Sequence, residues 1–497
     1  MKEYILALDQ STSGTKAILI DRAGALAGRS DLAHRQIVTP EGWAEHDPME
    51  IWANVPAVSR LVMERCGVGP GQIRAIAIAN QRETAVCWRR STGLPLYNAV
   101  TWQCARAEEL TRALSTPETE ERVRAVTGLR LSPYFSAAKF AWLLKNADGP
   151  AGAAAEGDLC FGTVDAWLIY RLTGGAAFKT DVSNASRTQL LDLDSLDWSP
   201  EMLGLFGLER RMLPEVCESN SLFGYSDLDG LLPGPVPICG VLGDSQAALL
   251  GNGCLSRGGA KLTLGTGTSV MVNAGPARPG VSGGIVCSVG WKLNGRLCYV
   301  AEGNINHTGA LIVWLRDKLR LIENSRDVGP IAAGLEDNGG VYLVPAFTGL
   351  GAPYWDMYAR GAILGITRGT KREHIIRAAQ ESIAYQVADL VQAMEADTGM
   401  PLNWLKADGG ASRDRFLMQF QADILAKEVR RPAIRETTAL GAAYLAGLAT
   451  GVWKDREEIK RLWMCETTFA PDMEQARREK LVSGWHKAVG RSRGWAK

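Results

Sequence analysis

Two apolar strands, each running into a turn of hydroxyl and glycine residues and followed by a second apolar run, constrain this chain more than any other feature. The first is Leu6-Ala7-Leu8-Asp9-Gln10-Ser11-Thr12-Ser13-Gly14-Thr15-Lys16, continued by Ala17 to Ile20. The second is Lys261-Leu262-Thr263-Leu264-Gly265-Thr266-Gly267-Thr268, continued by Val270 to Val272. Either alone reads as an ordinary Gly/Ser/Thr hairpin turn. As a pair, half a chain apart, they predict a duplicated fold. Glycines let the backbone approach a ligand closely, and successive amides and hydroxyls bind phosphate oxygens. Asp9 ends the first strand inside its loop, where a magnesium ion held near phosphates needs an oxygen ligand.

A chain of 497 residues exceeds the size at which one core keeps growing, so two large domains are expected. They part near residue 250, into 1–249 and 250–497, just after the proline-rich Leu232-Pro233-Gly234-Pro235-Val236-Pro237. Strand-like Ile73 to Ala79, helix-like Ala137 to Leu144 and strand-like Ile238 to Leu242 alternate, which predicts an α/β architecture. In the second half the spacing of Ile376, Ala379, Ile383, Val387, Leu390 and Met394 predicts a long helix with one buried face. Its start is read at the capping box Thr370-x-x-Glu373 and its end at Gly399. Farther on, Leu405 to Ser412 reads as a strand meeting two glycines and then a helix capped by Ser412. Such a junction lets a nucleotide's base or ribose lie on bare backbone.

Lys plus Arg number 55 against 54 Asp plus Glu, so no excess positive charge exists to concentrate against nucleic acid or an anionic membrane. No apolar run approaches the ~20 residues of a membrane span. The N-terminal segment has no apolar stretch of signal-peptide length. Ten cysteines are scattered without a Cys-x-x-Cys pair, which removes metal-finger and redox readings and predicts reduced thiols in a cytoplasmic protein.

Phosphoryl transfer asks little covalent chemistry of a protein: phosphates held still, a metal to neutralise charge, and a group that orients or deprotonates the attacking oxygen. Asp9 is the candidate for the metal, and the Thr12 to Lys16 loop with Thr266 for the β and γ phosphates. Asp244, between a strand and the helix Gln246 to Leu250, reads as a helix N-cap or as the acceptor of a substrate proton, and the two roles are compatible. In Asn80-Gln81-Arg82-Glu83-Thr84, Arg82 donates and Glu83 accepts, a pairing suited to vicinal hydroxyls or, equally, an exposed loop ion pair. Trp102 and Tyr134 offer apolar walls for a carbon skeleton, unless they are core.

With those residues in hand, the chain resembles the FGGY family of carbohydrate kinases, its glycerol kinase branch above all, almost from end to end. The likeness rests on Ala7-Leu8-Asp9-Gln10, Trp43-Ala44-Glu45-His46-Asp47-Pro48, Asn80 to Thr84, Phe161-Gly162-Thr163-Val164-Asp165 and Pro345 to Asp356. The family's first signature fits Tyr134 to Asn146, and its second fits Gly361 to Glu381 except at Gln380, where an apolar residue is usual. The resemblance implies an actin-like fold, two ribonuclease-H-like domains that close on ATP, magnesium and a polyol in the cleft between them. It implies that Asp244 is the general base and that Arg82, Glu83 and Tyr134 are polyol ligands. Thr12, Ser13, Thr266, Gly309 and Gly410 fall where the family contacts ATP, and Asp414 where glycerol kinases often have Asn.

Departures from that branch bear on the substrate. Ser245 stands in place of Gln and Ser269 in place of Phe, which predicts a larger and more polar pocket. The first loop carries Ser11, Gly14 and Lys16 where Gly, Ser and Arg are usual, and Lys lacks arginine's bidentate fork. Val313 replaces a Gln near the adenine, and Asp229 to Gly234 lacks the Gly/Lys/Arg pattern that resembles a fructose bisphosphate site. The implied activity is ATP-dependent phosphorylation of a terminal hydroxyl of a small polyol. Glycerol is the default, and erythritol, threitol or a pentulose is the alternative. A rival of another class is an actin-like ATPase without a polyol substrate, against which Arg82, Glu83, Trp102 and Tyr134 argue. Kinases that resemble this one are often homodimers or homotetramers.

Overall fold

The computed structural model describes residues 2–281 and 284–496 and builds two mixed sheets with one pattern of pairing. The first sheet comprises β1 (Tyr4–Gln10), β2 (Gly14–Asp21), β3 (Leu26–Ala33), β4 (Ile73–Asn80), β5 (Gly224–Ser226) and β6 (Val236–Gly243), in the order β5-β6-β4-β1-β2-β3. The second comprises β7 (Ala260–Leu264), β8 (Thr268–Gly275), β9 (Val286–Leu293), β10 (Arg296–Ile305), β11 (Trp404–Asp408), β12 (Glu428–Pro432) and β13 (Cys465–Phe469), in the order β9-β10-β8-β7-β11-β12-β13. Leaving aside edge strand β9, the two sheets correspond strand for strand in order and pairing sense. β1, β2 and β3 form an antiparallel run matched by β7, β8 and β10, and β4 and β6 add in parallel to β1 as β11 and β12 add to β7. β5 and β13 close the far edges, both antiparallel. The two hairpins of the sequence are thus β1-β2 and β7-β8, at equivalent places in the two sheets.

Every residue of β1 is buried, as expected of a strand covered on both faces. Leu6 and Leu8 point into a core shared with Ile51, Val55, Val58 and Val62 of α1 (Pro48–Cys66). Ile5 and Ala7 point the other way, toward Ala247 and Leu250 of α2 (Asp244–Gly251) and toward Leu440 and Ala443. Those last residues belong to a helix from the far end of the chain, so the C-terminal sequence covers one face of the N-terminal sheet.

Three more helices frame the second sheet: α3 (Gly309–Asp317), α4 (Arg372–Thr398) and α5 (Arg415–Leu425). The helix on the first sheet is α6 (Thr437–Ala449). α4 ends at Gly399, whose φ of +63° is the left-handed cap the sequence predicts. Its start differs from the expected capping box. The helix begins at Arg372, where the Lys371 N–H donates to His374 Nδ1 at 3.0 Å, while the Thr370 hydroxyl accepts from the Thr367 N–H in the preceding turn. The capping of α5 also differs. Asp414 accepts from the Leu417 N–H, and Ser412 instead closes the short turn Gly410–Arg413 by donating to the Gly409 carbonyl. All ten cysteines are free thiols, and among the described residues no helix is long and apolar enough to cross a membrane.

Behind the first loop, His34 and His46 are buried and pack edge to face with ring centroids 4.5 Å apart. Burial, with His34 alongside, pulls the His46 imidazole down to about 4, and burial lowers His34 as well. A depressed native pKa means that the unfolded chain takes up protons first. Stability is therefore complete above the unfolded value near 6.5 and declines as the pH falls from there toward 4. His46 alone is expected to remove about 3 kcal/mol by the end of that window. Urea unfolding at pH 7.5 and pH 5 checks this. His46→Gln should flatten the pH slope, and an unchanged slope would refute the assignment.

Candidate active site

Asp244 is the first residue of α2, directly after β6, so a strand and a helix fix its backbone on either side. The N-cap is Gly243 rather than Asp244, and the Asp244 carboxylate accepts from its neighbour's amide, Ser245 N–H, at 2.6 Å. That frees the side chain to face the junction of the two sheets, where it is 40% exposed and 3.1 Å from Arg82 Nε. Burial by the surrounding protein raises the Asp244 carboxyl above the usual aspartate value, against the opposing pull of Arg82 and Lys261 and with reinforcement from Asp9.

Arg82 and Glu83 follow β4. They do not form the simple side-by-side pair that the sequence suggests. Their nearest charged atoms are 4.0 Å apart, and each has a stronger partner. Glu302, from β10 of the second sheet, takes Arg82 in a bidentate grip at 2.8 and 2.9 Å. Arg187 donates to Glu83 at 2.6 Å and lies 3.2 Å from Glu302. Glu83 itself has a φ of +63°, a conformation few non-glycine residues adopt, held by Ser136 and Lys139 donating to its carbonyl.

Lys261 of β7 sits behind this cluster, 1% exposed, donating to the hydroxyls of Thr263 at 2.9 Å and Ser269 at 3.3 Å. Ser269 in turn donates to Glu302 at 3.1 Å. The floor therefore gathers three cations, Arg82, Arg187 and Lys261, and three carboxylates, Glu83, Asp244 and Glu302, a balanced set that buried charges require. Burial pushes the Glu302 carboxyl up, but Arg82 and Arg187 outweigh it and hold it down at about 2. Burial lowers the Lys261 ammonium, and it pulls Lys139, which donates to the Glu83 and Tyr134 carbonyls, to about 7.

Trp102 and Tyr134 meet edge to face at 5.8 Å, and the Trp102 indole N–H donates to the Thr12 hydroxyl at 2.9 Å. The aromatic wall and the first loop are thus one assembly. Ser13 and Gly14 complete that loop, with Ser11 N–H and Oγ both donating to the Gly14 carbonyl. Lys16, expected at phosphates, has its ammonium on Asp9 at 2.9 Å and 3.7 Å from Glu436, and Asp9 raises its pKa.

In the second loop the Gly309 N–H donates to the Gly265 carbonyl, and a Cβ at Gly309 would come within 2.6 Å of that oxygen. The start of α3 is thereby pinned to the loop that presents Thr266. Gly409, at φ +88°, lies against Leu264, which brings Gly410 to the same loop. Asp414 turns elsewhere and accepts from Gln380 of α4 at 2.7 Å. The two departures noted in the sequence, Gln380 and Asp414, are therefore partners. Glu302, Arg187, Lys261 and Gln246 were not legible as site residues. A lone charge inside an apolar strand was the available signal for Glu302 and Lys261, and none existed for Arg187.

Two family models match this chain: the FGGY carbohydrate kinase N-terminal domain over residues 4–251 and the C-terminal domain over 260–450. Curated relatives include a glycerol kinase of Caldanaerobacter subterraneus, 49% identical with 100% of each chain covered. Another is glycerol kinase 2 of Thermotoga maritima, 48% identical with the same coverage. Among solved structures, Plasmodium falciparum glycerol kinase with ADP aligns at TM-score 0.93 and 35% identity, covering 99% of this chain and 98% of that one. A ligand-bound xylulose kinase from Lactobacillus acidophilus aligns at TM-score 0.85 and 21% identity, covering 99% and 97%, which speaks to fold alone. Matched in both halves, at both hairpins and along its whole length, the chain belongs to the FGGY family of carbohydrate kinases and has their two-domain, actin-like fold.

Proposed function

We propose that this kinase transfers the γ-phosphoryl group of ATP to a terminal hydroxyl of a small polyol, with glycerol, the substrate named for its relatives, as the first acceptor. The observation that carries the reading is the placement of Asp244: a carboxylate open to the junction of the sheets and 3.1 Å from a guanidinium. Asp244 takes the proton of the attacking hydroxyl. Arg82 and Glu83 hold vicinal hydroxyls, one donating and one accepting, and Trp102 and Tyr134 flank the carbon skeleton. Thr12, Ser13, Gly14 and Lys16 in the first loop and Thr266, Gly309 and Gly410 around the second hold the nucleotide, and Asp414, engaged by Gln380 and the Leu417 N–H, supports the turn that carries Gly410. Residues 1–249 supply most of the acceptor-binding groups and 250–497 the second nucleotide loop, while the first loop and Ser269 cross that division.

Asp9, at the end of β1 and buried, has one carboxylate oxygen on the Lys16 ammonium at 2.9 Å and is the hard oxygen donor that would hold Mg²⁺. Bound there, the cation neutralises charge on the phosphates. A second reading, a four- or five-carbon polyol or a ketose, draws on Ser245 and Ser269, both half-buried and both short. Initial rates of ADP release with glycerol, dihydroxyacetone, erythritol, threitol and pentuloses test both. A glycerol preference by orders of magnitude supports the first reading and removes the second. Acceptor-independent ADP release alone would remove both.

A further inference from the structure

Arg82 comes from the end of a strand in the first sheet, yet the side chain that fixes its guanidinium comes from the second. Glu302, fully buried on β10, takes one N–H from each terminal nitrogen, and Gln246 takes another from Nη1 at 3.2 Å. Nε faces Asp244, which leaves an Nη2 N–H without a partner among the described residues. Five N–H groups in a rigid fork permit one such assignment only if the carboxylate opposite is bidentate.

Glu302 is fixed in its turn. Ser269 donates to Oε1, Arg187 lies 3.2 Å from Oε2, and Lys261 directs the Ser269 hydroxyl by donating to its oxygen. An ammonium can only donate, so Ser269 must accept from Lys261 and give its own proton to Glu302. The direction of the chain Lys261 to Ser269 to Glu302 to Arg82 is therefore determined at each link.

We propose that Glu302 is the positioning residue of the acceptor site: by clamping Arg82 from the opposite sheet it aims the remaining N–H at the acceptor. This rests on the reading of Arg82 as an acceptor ligand. The orientation of that ligand then depends on β10, which also pairs with β8, the strand leaving the second loop. Acceptor recognition is thereby tied to the half of the molecule that carries the second phosphate loop.

The test is steady-state kinetics of full-length Glu302→Asp and Glu302→Gln with MgATP and the acceptor that the wild-type enzyme uses best, together with thermal melting. Glu302→Asp keeps the charge but withdraws it by one methylene, which breaks the two-point grip. Its acceptor KM is expected to rise at least tenfold while the ATP KM stays within about twofold and the melting temperature changes little. Glu302→Gln, which also unbalances the buried charges, should show the same split in KM together with a lower melting temperature, and failure of that variant to fold leaves Glu302→Asp to decide. An Asp variant with wild-type acceptor KM, or with both KM values and the melting temperature shifted together, overturns the proposal in favour of charge balance or structure alone. If the wild-type enzyme turns over no polyol, the reading of the site fails first. The clamp is then judged by tryptophan fluorescence titration with glycerol, where equal affinity of wild type and Glu302→Asp would refute it.

Discussion

Asp244→Asn is expected to lower kcat by at least ~10²-fold with little change in ATP affinity, the loss typical when a general base is removed. The amide keeps the shape and can still accept the Ser245 N–H, so α2 should start where it does now. What disappears is a basic oxygen at the proposed acceptor site. Arg82, now facing an amide, retains Glu302 and Gln246, so the floor loses one of three negative charges without losing its main clamp. Because burial raises the Asp244 carboxyl, the acid limb of kcat/KM in the wild type should lie above the ordinary aspartate value near 4. Below that limb the base is protonated and the rate falls, and above it the rate is flat. An Asn variant with near-normal turnover would move the proton acceptor elsewhere, and an acid limb at or below the ordinary value would contradict the account of the carboxyl's surroundings.

Gly441→Ala should be nearly as damaging, through the fold instead of the chemistry. A Cβ there would lie 1.9 Å from the Ala247 carbonyl oxygen, and a Cβ at Gly251 would lie 1.9 Å from that of Thr437, so α2 and α6 touch backbone to backbone. Both partners are main chain in the interior of a packed layer, with no flexible side chain to yield. The expected loss is at least about 3 kcal/mol, read as a lower urea midpoint at unchanged slope. Gly490→Ala is the control. It sits within the helix Gln475–Ser492 with nothing in reach of its Cβ, and should gain about 0.5–1 kcal/mol from reduced freedom of the unfolded chain. Equal effects at the two positions would mean that the crossing of α2 and α6 is looser than described. Because α2 begins with Asp244, loosening that crossing should also raise the acceptor KM in any soluble Gly441→Ala enzyme.

The strands that carry the site were legible because burial on both faces writes long apolar runs: β1, β4 and β6 lie where Leu6, Ile73 and Ile238 begin their runs. Helix starts were less legible. Ser412, Thr370 and Asp244 all have the chemistry of a cap, and at each the chain chose another residue, since capping depends on which side chain the local turn leaves free. The charged floor was half legible. Arg82, Glu83 and Asp244 stand at strand ends next to turns, where polar residues advertise themselves. Glu302 and Lys261 lie inside apolar strands and Arg187 in a buried turn, and their meeting depends on two sheets coming together, which no local pattern encodes. The pairing of Gln380 with Asp414 was hidden for the same reason, although each was visible as a departure on its own.

In the proposed reaction Asp9, Thr266 and Asp244 serve one phosphoryl transfer to an alcohol rather than to water. Phosphorus NMR of the purified enzyme with ATP, Mg²⁺ and glycerol reads this directly. The account predicts that ATP is replaced by ADP and a phosphomonoester whose signal is split by two neighbouring methylene protons, in equal amounts. Inorganic phosphate as the sole new species beside ADP would contradict it and mark the protein as an ATPase.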